Sequence, residues 1–191
     1  MYEHVKRIMD IVLAGAALIA LSPIMLLTAL AVKLTSEGPV FFRQTRMGRY
    51  MQPFTIYKFR TMRVDAPEKP TREIRDQYIT PVGKFLRASS LDELPQLVNI
   101  LKGDMSIVGP RPVILKEKKL IAAREAVRAY DVRPGLTGWA QINGRDRVST
   151  KRKAQLDGEY VQRMSFAFDV RCILGTFIKV LRQEDVVDGR K

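Results

Sequence analysis

A chain of 191 residues is long enough for one domain with a proper core, and 33 Lys and Arg against 20 Asp and Glu leave a net charge of +13. That charge calls for an anionic partner: nucleic acid, anionic lipid or a phosphorylated substrate. One cysteine (Cys172) excludes an intrachain disulfide, and one histidine (His4), ahead of a hydrophobic segment, excludes a Ser-His-Asp triad or a His-rich zinc site in the body of the protein. Acid–base and metal chemistry must then rest on carboxylates, which favour hard ions such as magnesium.

In chain order, Ile11 to Val32 is a run of 22 residues without a formal charge. As a helix it is about 33 Å long, enough to cross a hydrocarbon core of about 30 Å. No small-residue cleavage site follows it, which argues against a secretory signal peptide. Ser22-Pro23 lies mid-run, where proline removes a backbone hydrogen bond and bends or breaks a helix. Lys6 and Arg7 precede the run, and Lys33, Arg43 and Arg46 follow it. Basic residues prefer the cytoplasmic side, so these flanks suit a helix that enters the bilayer, turns at Ser22-Pro23 and leaves on the same side. A spanning helix is the equal alternative, since many spanning helices tolerate proline.

Gly38-Pro39 closes this segment. Val40 to Gln44 and Phe54 to Phe59 read as two short strands around the turn-like Met47-Gly48-Arg49-Tyr50. The second strand delivers Lys58-Phe59-Arg60-Thr61-Met62, and its alternation puts Lys58 and Arg60 on one face. They form either a clamp for phosphate oxygens or a solvated basic edge. Val64 to Pro81, with three prolines and no apolar period, reads as a surface loop. Val82 to Ala88 is a short amphipathic piece carrying Lys84 and Arg87.

Ser89 to Pro112 concentrates the chemistry. An adjacent acid pair, Asp92 and Glu93, precedes Leu94, Leu97, Val98 and Leu101, whose spacing predicts a short helix that Gly103 ends. The acids then fall at the helix N-terminus, where negative charge is favoured. Ser90-Leu91-Asp92-Glu93 also fits a capping box, but Pro95 would then sit at the fifth helical position; a cap at Asp92 puts Pro95 in the first turn. Capping explains one acid, not two.

Val113 to Tyr130 reads as a basic helix with Lys116, Lys118, Lys119, Arg124 and Arg128 on a solvated face. Val132 to Arg145 is an irregular Gly- and Arg-bearing segment whose glycines permit close approach to a ligand. Lys151 to Met164 predicts a helix with Asp157 and Tyr160 on neighbouring positions. The segment from Phe166 to Leu181 predicts an amphipathic helix that finishes the core or lies in the headgroup layer.

Five motifs in order resemble the bacterial sugar transferases, the small monotopic phosphoglycosyl transferases. They are KFRTM (Lys58 to Met62), SLDELPQL (Ser90 to Leu97), GDMSIVGPRP (Gly103 to Pro112), VRPGLTGWAQINGR (Val132 to Arg145), and Asp157 with Tyr160. The resemblance covers nearly the whole chain, shows no departure in these motifs, and implies the family's minimal form. It implies an α+β, mainly helical fold with a re-entrant helix-break-helix hairpin over residues 1–36. A catalytic domain over 37–191, with amphipathic interfacial helices and a small sheet, would rest on the cytoplasmic face of the inner membrane. It implies transfer of a sugar-1-phosphate from a UDP-sugar to polyprenol phosphate, normally undecaprenyl phosphate, releasing UMP with magnesium as cofactor. This would be the first membrane step of glycoconjugate or polysaccharide synthesis. By the same resemblance, Asp92 is the nucleophile of a covalent intermediate and Glu93 helps hold magnesium. Lys58, Arg60, Arg87, Arg111, Arg145, Asp157 and Tyr160 are the candidates for substrate contacts or for ordering them, and Ser22-Pro23 is the membrane break.

Charge alone suggests a rival, a membrane-anchored nucleic-acid-binding protein, but the chain has neither an aromatic-basic RNA signature nor a helix-turn-helix. A non-catalytic membrane scaffold is the other alternative. UMP release separates all three. Neither the sugar nor the oligomeric state follows from the sequence.

Overall fold

The computed structural model describes residues 2–67, 76–144 and 148–181. Helix α1 (Tyr2–Thr35) carries Pro23 inside it and continues through Ser22-Pro23, where the sequence predicts an interruption. The local chemistry explains why: Pro23 lacks the N–H that would bond the Ile19 carbonyl, and the Ser22 hydroxyl donates to that oxygen instead, at 2.8 Å.

Lys6, Asp10, Ala14, Thr28 and Val32 are the buried residues of α1, while Ile8, Val12, Ile19, Leu26, Leu27 and Leu30 are exposed. Both ends are tied to the rest of the molecule. Near the N-terminus the Lys6 ammonium lies 2.6 Å from Asp169, Arg7 donates to the Ile100 and Leu101 carbonyls, and Asp10 accepts from the Ile107 N–H. Near the C-terminus Val32 packs with Phe59 and Leu86.

Strands β1 (Phe41–Met47) and β2 (Pro53–Phe59) pair antiparallel, with Phe42 opposite Lys58 and Gln44 opposite Ile56. This is the predicted hairpin, lengthened at its first strand. After it, Met62 bridges Ile79 and Thr80 donates to Thr61. Thr80 then caps α2 (Pro81–Ala88) through the Gly83 N–H, with Pro81 in the first turn, where its missing donor costs nothing.

Helix α3 (Gln96–Lys102) ends at Gly103, whose φ of 91° closes the helix in the left-handed region, as the sequence predicts. Ala14 of α1, Ile56 of β2, and Leu97, Ile100 and Met105 around α3 form one buried cluster. Fully buried Asn99 docks α3 on the hairpin. Its side chain accepts from the Tyr57 N–H and donates to the Thr55 carbonyl, pairing with β2 much as another strand would.

Two three-residue strands, β3 (Ser106–Val108) and β4 (Gly135–Thr137), pair in parallel, the second inside the segment that the sequence predicts to be irregular. The glycines here serve backbone packing: a Cβ on Gly135 would lie 2.1 Å from the Gly109 nitrogen. The segment read as one helix from 113 to 130 is helical only over α4 (Lys118–Ala126). Then follow α5 (Trp139–Ile142), α6 (Thr150–Arg163), capped by Ser149, and α7 (Phe166–Leu181). Only part of α7 finishes the core. Phe168 and Cys172 are buried beside Val108 and Tyr160, whereas Phe166, Leu174, Phe177 and Ile178 are exposed. Among the described residues the protein is thus mainly helical with two small sheets.

Candidate active site

Asp92 and Glu93 lie on a single 3₁₀ turn, Leu91–Glu93, that precedes α3. Neither sequence register for a cap holds. Ser90 makes no side-chain capping bond, and Pro95 occupies the cap position of α3. Ser90 instead adopts φ 57° and ψ 16°, a left-handed conformation that a non-glycine residue holds at some cost. It turns the chain from α2 into the acid pair, and the acid turn packs on β2 and α2.

Two cations from distant parts of the chain converge on Glu93. The Lys58 ammonium, at the end of β2, lies 2.7 Å from Oε1. Arg111 Nη2, from the Pro-rich segment after β3, lies 2.6 Å from the same oxygen, and Arg111 Nη1 is 3.4 Å from Oε2. Lys58 and Glu93 side chains are 16% and 14% exposed, so this charge cluster is mostly shielded from water yet open enough to meet a ligand. Burial pushes the Lys58 ammonium pKa down, and Glu93 opposes it.

Asp92 is buried beside this cluster. Burial pushes its carboxyl pKa up. Lys58 pulls it down, Glu93 adds to the rise, and Arg87 and Arg111 favour the ionised form. Desolvation is the largest of these effects. Arg87 is held near the acids by donating from Nε to the Thr61 hydroxyl at 2.9 Å. The KFRTM motif thus serves the site through its first and fourth residues.

Its third residue does not. β2 ends at Phe59, so strand alternation no longer governs Arg60. That guanidinium turns back, donating to the Pro39 and Ser36 carbonyls at 2.6 and 2.9 Å, and fastens the chain leaving α1. Tyr160 is also elsewhere. It is buried, donating to the Val108 carbonyl and to Asp169, the carboxylate that Tyr2 and Lys6 also meet. Asp157 is buried against Arg124, which in turn donates to the Arg111 carbonyl. Arg145 lies outside the described residues.

Arg46 is a neighbour that the sequence offered only as a flanking charge. It sits on β1 opposite Phe54 and bridges Ile114, three residues beyond Arg111. Burial and the Arg111 charge push its guanidinium down to about 10, with Glu117 and Glu93 pulling the other way. Its Nε is buried without a hydrogen-bond partner.

No cluster of three or more His, Cys, Asp or Glu side chains occurs among the described residues. Zinc-type coordination by protein alone is therefore not offered there. The arrangement as a whole can neutralise several phosphate charges while keeping one carboxylate buried and adjacent.

Residues 1–183 match the bacterial sugar transferase family. The uncharacterized sugar transferase EpsL of Bacillus subtilis (strain 168) is 43% identical over 181 residues, covering 95% of this chain and 89% of that protein. The UDP-glucose:undecaprenyl-phosphate glucose-1-phosphate transferase of Escherichia coli (strain K12) is 44% identical over 185 residues, or 91% of this chain and 39% of its own length. The protein of the same name from Caulobacter vibrioides is 42% identical over 189 residues, covering 94% of this chain and 71% of that protein.

Proposed function

The chain belongs to the bacterial sugar transferase family, and from that premise we propose that it moves a sugar-1-phosphate from a UDP-sugar to polyprenol phosphate, releasing UMP. The observation that carries this reading is the pairing of Lys58 and Arg111 on Glu93 beside buried Asp92. Nucleic-acid binding or scaffolding needs cations, but not a carboxylate pair shielded among them.

In the first step an Asp92 oxygen attacks the sugar-linked phosphorus. The bond from that phosphorus to the bridging oxygen breaks, and UMP leaves with the bond's electron pair. In the second step an oxygen of polyprenol phosphate attacks the same phosphorus and the bond to Asp92 breaks, returning the carboxylate. Lys58, Arg87 and Arg111 offset phosphate charge in a partly desolvated site, where fixed cations act more strongly than in water. Glu93, with Asp92 next to it, would hold magnesium, which supplies charge neutralisation of the phosphates. The raised Asp92 pKa fits a nucleophile whose ionised form is not overstabilised by its surroundings.

The same reading places residues 1–36 in the cytoplasmic leaflet, entering and leaving on one side with Pro23 as the bend, and the rest of the chain on its surface. It is supported by α1, whose two ends both fasten to the domain, and by the exposed apolar side chains of α1 and α7. A spanning helix would carry one end away from the domain.

The test is UMP release by the full chain in detergent or nanodiscs, with polyprenol phosphate and a panel of UDP-sugars. Release with one sugar, dependent on the lipid for turnover, supports the reading. No release with any UDP-sugar contradicts it.

A further inference from the structure

Arg124 and Asp157 form an ion pair with each side chain only 1% exposed. Arg124 Nε and Nη2 each lie 2.7 Å from Asp157 Oδ2, joining α4 to α6. The pair is more than a link between two helices. Its remaining terminal nitrogen, Nη1, donates at 2.7 Å to the main-chain carbonyl of Arg111, the residue whose side chain grips Glu93. A fully buried ion pair adds little net stability, because desolvation offsets most of the attraction, so apolar residues of similar size can replace one without loss of fold. What they cannot replace is a donor aimed at a particular carbonyl.

We infer that Arg124 is a positioning residue for the phosphate-handling site: anchored by Asp157, it fixes the Arg111 backbone and thereby the placement of the Arg111 guanidinium on Glu93. The inference rests on the transferase reading for its catalytic consequence, but not for the positioning itself. The segment Gly109-Pro110-Arg111-Pro112 is held at its start by β3–β4 pairing, through the Gly109 N–H on Thr137. Arg124 holds it at the residue that acts.

The test compares the wild type with the double variant Arg124→Met/Asp157→Leu in the full-length, detergent-solubilised protein. The unfolding midpoint should stay near the wild-type value. Hydrogen exchange in a peptide spanning residues 109–114 should speed up while α4 and α6 stay protected. UMP release should fall roughly 10- to 100-fold, the scale on which small misplacements act. In an Arg111→Ala background the same two substitutions should cost no more than about twofold, because the group they position is already gone. Arg124→Lys, which keeps the charge but loses the fork, should show the same changes in weaker form and serves if the double variant does not fold. Unchanged exchange over 109–114 would overturn the positioning, as would a full multiplicative loss in the Arg111→Ala background. If the wild type releases no UMP, the transferase reading fails, and the exchange measurement still decides the role of Arg124.

Discussion

Among the described residues Glu93 meets Arg111 and Lys58 at 2.6 and 2.7 Å, so removing its charge takes a close counter-charge away from both cations in a poorly hydrated place. Glu93→Gln keeps the shape and is expected to cut UMP release at least about 100-fold. It should also raise the magnesium concentration needed for half-maximal rate, and EDTA should abolish wild-type activity until magnesium is restored. A rate and metal dependence unchanged in the variant would reduce Glu93 to a counter-ion. Cys172 makes the opposite case of a reactive residue type with no reactivity. It is 0% exposed among Val108, Tyr160 and Phe168, and burial, with Asp169 adding to it, pushes its thiol up to about 12. At about pH 8 it remains a thiol, and maleimide should label it only after denaturation. Among single residues, Asp92, Glu93, Lys58 and Arg111 were legible because each sits in a motif that carries the family resemblance, although Lys58 and Glu93 are 35 positions apart. Arg124 was not. In the sequence it is one of five cations on a basic stretch, and its partner Asp157 is 33 positions away, a pairing that leaves no local signal. Arg60 was misplaced by extending strand alternation one residue past the strand's end.

Elements long enough to show a period were readable: the apolar run of α1, the β1–β2 hairpin, α6 and α7. The parallel pair β3–β4 was not, because three residues are too few to display alternation and the partners lie almost thirty residues apart. It nonetheless holds Gly109, the start of the segment that carries Arg111. The docking of α3 on β2 was likewise hidden, since it depends on one buried amide. Asn99 satisfies the Tyr57 N–H and the Thr55 carbonyl and also donates to Asp104 at 3.1 Å. Asn99→Ala strands these groups away from water and is expected to lower stability by about 2–4 kcal/mol. Asn99→Asp should do at least as much harm, because it loses the donors and sets a second carboxylate beside Asp104. Denaturant unfolding of the solubilised protein measures both, and loss below about 0.5 kcal/mol in either would show that the amide does not hold the two elements together.

At the scale of the whole molecule, α1 is fastened to the rest of the chain near both ends, while Ile19, Leu26, Leu27 and Leu30 on its outer face are exposed among the described residues. Single cysteines introduced as His4→Cys and Lys33→Cys can be labelled without removing Cys172, whose burial keeps it silent. Both should react from the cytoplasmic side in intact cells; reaction of His4→Cys from outside alone would mean a spanning helix. On the proposed mechanism the site handles a water-soluble nucleotide and a lipid in turn, with Asp92 carrying the phosphosugar between them. Splitting the transfer lets UMP depart before the lipid phosphate attacks, so two anionic substrates need not share the Lys58–Arg111 cluster at once. The most direct measurement is therefore made without the lipid. Wild-type protein incubated with the UDP-sugar alone should release UMP stoichiometrically and gain one sugar-phosphate mass on the peptide containing Asp92, while Asp92→Asn, still folded, should do neither. Failure to trap any adduct, with kinetics that require both substrates bound together, would contradict the account.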